Sequence, residues 1–111
     1  MKENCRMNKY IKVTEKNSKT NSVIQHFFFS VDEIEYINVR FNNLGKNKDE
    51  KYWHYIELVV RGFAPMRIHA STDRDAVEWE FDYFCKWLTD ENAKFAVYDI
   101  DIYEDCQWTE E

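Results

Sequence analysis

Between Lys9 and Ala70 apolar side chains recur at every second residue in five separate runs, and only Asp73 to Thr89 repeats at the helical period. A chain patterned this way must build a sheet first and cover it with a single helix. Lys9–Glu15 places Ile11 and Val13 on one face, and Val23–Ser30 is a β-branched and aromatic run. Ile34–Phe41 separates Ile37, Val39 and Phe41 from Tyr36, Asn38 and Arg40. Tyr52–Phe63 turns Ile56, Leu58 and Val60 inward, and Met66–Ala70 does the same with Met66, Ile68 and Ala70. After the helix, Lys94–Glu104 sets Ala96, Tyr98, Ile100 and Ile102 against Val97, Asp99, Asp101 and Tyr103. The connections between the early runs are short and polar, which favours antiparallel hairpins. The expectation is an α+β domain: a curved antiparallel sheet of about six strands, order β-β-β-β-β-α-β, with one amphipathic helix packed on one face. Residues 1–8 read as a loose basic arm, 9–105 as one domain and 106–111 as an acidic tail.

The helix carries more apolar surface than one sheet needs. Thr72 is placed to cap its start, with Asp75 three residues on, and Asn92 to close its end in the left-handed region. Val77, Phe81, Phe84 and Leu88 form the stripe expected to face the sheet. Trp79, Tyr83 and Trp87, spaced i, i+4, i+8, form a second edge, and together the two span an arc of roughly 200°. About 100° suffices for a helix lying on a sheet. Either the sheet wraps both edges, or Trp79, Tyr83 and Trp87 form a partner surface, since Tyr and Trp dominate binding hot spots. Glu80 projects between the two edges, and a carboxylate there needs Arg61, Arg67 or a tyrosine hydroxyl as partner.

Catalytic and cofactor motifs are absent. The only glycines, Gly45 and Gly62, make no dinucleotide or nucleoside-triphosphate fingerprint. Cys5, Cys85 and Cys106 match no zinc or redox spacing and read as free thiols. His26, His54 and His69 fall on strands with no motif around them, so no metal and no cofactor is expected. The acid pairs Asp73/Asp75, Glu78/Asp82, Asp99/Asp101 and Glu104/Asp105 have the composition of a glycosidase or metal-dependent nuclease, but most lie on solvated faces. A small enzyme using clustered Asp and His residues is therefore the alternative rather than the first expectation. No apolar run approaches the ~20 residues of a membrane span. The segment Met1–Arg6 lacks the apolar core of a signal peptide, so a cytoplasmic protein is expected.

Charge is the most informative remaining feature. Residues 1–62 hold 11 Lys and Arg against 8 Asp and Glu, whereas residues 63–111 hold 4 against 13. The early lysines, with Phe27, Phe29 and Trp53 to stack bases, allow a single-stranded nucleic-acid-binding domain, but no basic stripe accompanies them. Asp75, Glu78 and Asp82 on the helix, with Asp99 and Asp101 on the last strand, suit the opposite role: filling a basic channel on another protein. In size, acidity and lack of a catalytic motif the chain resembles phage-encoded inhibitors such as anti-CRISPR proteins, and immunity proteins that plug toxic nucleases. That resemblance is one of type and rests on no motif. It implies a non-enzymatic protein–protein interaction module, a small acidic inhibitor of a basic, nucleic-acid-handling partner such as a nuclease. Homodimerisation through the helix edge or a free sheet edge is a further possibility.

Overall fold

The computed structural model describes residues 8–41 and 54–104. The basic arm, the loop around Gly45, Trp53, Cys5, Cys106 and the acidic tail lie outside them. Strands β1 (Tyr10–Lys16) and β2 (Val23–Ser30) form an antiparallel hairpin. A 3-10 turn, Val31–Glu33, leads to β3 (Ile34–Arg40), β4 (His54–Val60) and β5 (Met66–Ser71), an antiparallel meander. Helix α1 (Arg74–Thr89) and β6 (Val97–Tyr103) complete the order, so the α+β class holds.

The single curved sheet resolves into two of three strands, ordered β2-β1-β6 and β3-β4-β5. The expectation of an all-antiparallel sheet also fails, because β6 runs parallel to β1, pairing Tyr10 with Val97 and Lys16 with Tyr103. Short loops dictate antiparallel pairing only between neighbours in sequence; β1 and β6 are joined by a long crossover through the second sheet and the helix, which leaves parallel pairing open. β5 and β6 run close together with no ladder between them. At that seam β5 bulges: His69 and Ala70 together oppose Tyr55, between the pairs Ile56–Ile68 and His54–Ser71.

Period-two faces supply the core. Ile11, Val13, Phe29, Tyr98, Ile100 and Ile102 come from one sheet and Ile56, Leu58, Val60, Met66 and Ile68 from the other. Val77, Phe84 and Trp87 of α1 complete it, with Phe81 and Leu88 partly buried beside them. The turn from β4 to β5 needs its glycine: Phe63 donates to the Val60 carbonyl at 3.0 Å, and Gly62 takes φ +89°.

Both helix caps differ from expectation. Asp73, not Thr72, caps the start, its carboxylate accepting from the amides of Asp75 and Ala76 at 3.1 and 3.4 Å. Asn92 does not enter the left-handed region, and Asp90 is the C-cap in extended conformation. Lys9 explains why no such turn is required. Its ammonium, buried at the foot of β1, donates to the carbonyls of Trp87, Leu88 and Asp90. A cation there satisfies orphan carbonyls and meets the negative end of the helix dipole.

Candidate functional site

The outward side of α1 carries the sequence-predicted partner residues, and the structure divides them. Trp79 is 62% exposed and Tyr83 42% exposed, their rings stacked 5.4 Å apart at an interplanar angle of 7°. Asp75, Glu78 and Asp82 are exposed around that pair. The helical repeat places Asp75, Trp79 and Tyr83 on one row and Glu78 and Asp82 on the next. Trp87, expected on the same surface, belongs instead to the core, only 5% exposed. Phe84, Phe95 and Tyr98 surround its ring, its indole N–H donates to the Phe95 carbonyl at 2.9 Å, and the Lys9 ammonium lies 5.3 Å from its ring centroid.

The strand acids do not join the helix acids. Asp99 and Asp101 are exposed on the outer face of β6, opposite Tyr98, Ile100 and Ile102, which face the core. There they meet cations. Lys16 binds Asp101 at 3.0 Å, and Lys12 stands in register with Asp99. The hydrogen bond from Lys16, then the charge of Asp101, raises the pKa of that lysine.

Among the described residues Glu80 pairs with His69, while Arg61 pairs with Glu33. The Glu80 carboxylate lies 3.8 Å from His69 Nε2, and the same nitrogen is 3.3 Å from the Tyr98 hydroxyl. His69 reaches this position through the β5 bulge, where its φ is +55°, a left-handed backbone uncommon for a side-chain-bearing residue. Its ring packs edge-on to Tyr98, 6.2 Å away. Burial pushes the His69 pKa below 6.5, against the opposing pull of Glu80. Burial, and then the charges of Glu80 and Tyr83, hold the Tyr98 hydroxyl well above its ordinary pKa of 10. Both shifts keep the uncharged forms, so the imidazole and the phenol meet as neutral hydrogen-bond partners. By sequence His69 is an ordinary strand histidine; no motif marks it, because its placement depends on a bulge.

His26 lies on the first sheet and His54 and His69 on the second, each with different partners. His26 pairs with the Thr14 hydroxyl at 3.0 Å on the outer face of the first sheet, and the His54 ring meets Phe41. Among the described residues no group of three His, Cys, Asp or Glu is arranged to hold a metal ion. No described helix is long and apolar enough to cross a membrane. Cys85 is a free thiol whose pKa is raised by burial and then by Asp82. Comparison of the chain with protein-family models, with curated proteins and with solved structures finds no match.

Proposed function

We propose that this chain is a non-enzymatic protein–protein interaction module that docks through α1 onto a basic, nucleic-acid-handling protein and inhibits it. The observation that carries this reading is the Trp79–Tyr83 stack, held in water beside Asp75, Glu78 and Asp82. Two large rings left exposed beside carboxylates suit an arginine or lysine of the partner. A guanidinium stacks on an indole face while a carboxylate accepts its N–H groups. Asp99 and Asp101 contribute less, since Lys16 and Lys12 stand beside them. The docking surface is therefore centred on the helix. A second reading, a small enzyme, draws on the left-handed His69 beside Glu80 and Tyr98, because strained backbone gathers at functional sites.

Affinity capture from the producing cell, followed by mass spectrometry, tests the first reading. The expected result is a basic nucleic-acid-binding protein, released by added salt and lost when Asp75, Glu78 and Asp82 are changed to asparagine. Retention of the same partner by that triple variant, at any salt concentration, counts against it.

A further inference from the structure

Strand β2 is an edge guarded by neither charge nor proline. It ends the order β2-β1-β6, and among the described residues its outward backbone groups meet no backbone partner. All eight residues, Val-Ile-Gln-His-Phe-Phe-Phe-Ser, lack a formal charge at neutral histidine, and none is proline or glycine. Val23, Ile24 and Phe28 are 50%, 45% and 58% exposed. Phe28 is braced from behind by Tyr10, the two rings stacked 5.4 Å apart. One edge strand of the other sheet, β3, differs: it carries the charged Glu35 and Arg40. Proteins that stay monomeric protect long edges with charge, proline or bulges. Here a single irregularity, at Ile24 between the pairs Glu15–Gln25 and Lys16–Val23, leaves Gln25–Ser30 regular.

We infer that β2 pairs antiparallel with β2 of a second copy of this chain, forming a two-fold dimer with one continuous six-stranded sheet. Charge selects this occupant. In a two-fold strand pairing each residue meets a residue of the same strand, so a charged strand would have to be self-complementary, whereas β2 has no charge to repel. The whole chain carries −6, so two copies repel on balance, and pairing along an uncharged strand adds nothing to that repulsion. Main-chain hydrogen bonds then supply affinity, and a pairing centred on His26 sets Phe28 of each copy beside Ile24 of the other. This surface lies on β2, remote in sequence from the α1 surface, so either can fail alone.

Sedimentation equilibrium of the full chain over a concentration series tests the pairing. The expected species is twice the 13.6 kDa chain mass. Phe28→Lys and, separately, Ile24→Lys each set an unpaired charge against the other copy's apolar side chain and raise the dissociation constant at least about tenfold. Thermal melts establish that each variant is folded, and if Phe28→Lys is not, Ile24→Lys decides. A wild-type chain that is monomeric at every concentration overturns the inference. So does a dimer indifferent to the lysines of folded variants, and so does a dimer dispersed by Trp79→Ala instead. Monomers with β2 amides protected from hydrogen exchange would mean that the chain covers its own edge, which also overturns it.

Discussion

Trp79 and Trp87 are the same residue type on the same helical row, about two turns apart, yet one is 62% and the other 5% exposed. The row is identical in sequence logic; the surroundings are not. At the end of α1, Lys9, Phe95 and Tyr98 close over Trp87, because β1 and β6 run past that end. Near its start, Trp79 stacks on Tyr83, the one ring contact it makes among the described residues. Amphipathic width alone therefore measures how much apolar surface a helix carries, not how much of it the fold covers.

The largest expected effect comes from the covered ring. Trp87→Ala should cost about 3–5 kcal/mol in chemical denaturation, by removing a packed side chain and leaving a cavity. A cost no larger than that of Trp79→Ala would break the comparison. Next is the cation that roofs Trp87. Lys9→Met should cost about 1–3 kcal/mol, because buried helix carbonyls lose charged donors while the apolar stem is conserved. Equal stability in the two proteins would mean that water replaces the ammonium without penalty.

Midway along the helix, the Glu80–His69–Tyr98 group predicts a pH dependence. Burial holds His69 neutral, its folded pKa below the unfolded 6.5. The unfolded chain then binds the extra proton first as pH falls. The contribution is complete above 6.5 and is lost as pH drops through the folded value. Melting temperatures taken from about pH 7.5 to about pH 5 should decline, and His69→Gln should decline less steeply. Parallel slopes would remove His69 from the account. The smallest effect belongs to the exposed ring: Trp79→Ala should leave stability within about 1 kcal/mol.

Period two made the inward faces legible, and Ile11, Val13, Ile56, Leu58, Val60, Ile68, Tyr98, Ile100 and Ile102 are buried as expected. The α1 stripe Val77–Phe84 was equally plain, because a 3.6-residue period has one solution. Strand partners were not, since alternation says which way a side chain points and nothing about which strand lies beside it. Hence the parallel β1–β6 pairing and the division into two sheets were missed. Lys9 left a readable trace: it shares parity with the buried Ile11 and Val13, so an inward lysine was implied. His69 left none, because a bulge resets the alternation after Ile68.

The central claim is that the exposed end of the row, and not the buried end, meets the partner. Its most direct test is a calorimetric titration of the captured basic protein with wild-type chain and with Trp79→Ala. A hot-spot ring predicts a dissociation constant raised about 30-fold, equivalent to about 2 kcal/mol, in a variant that melts like wild type. An unchanged dissociation constant in a folded Trp79→Ala chain would contradict the account.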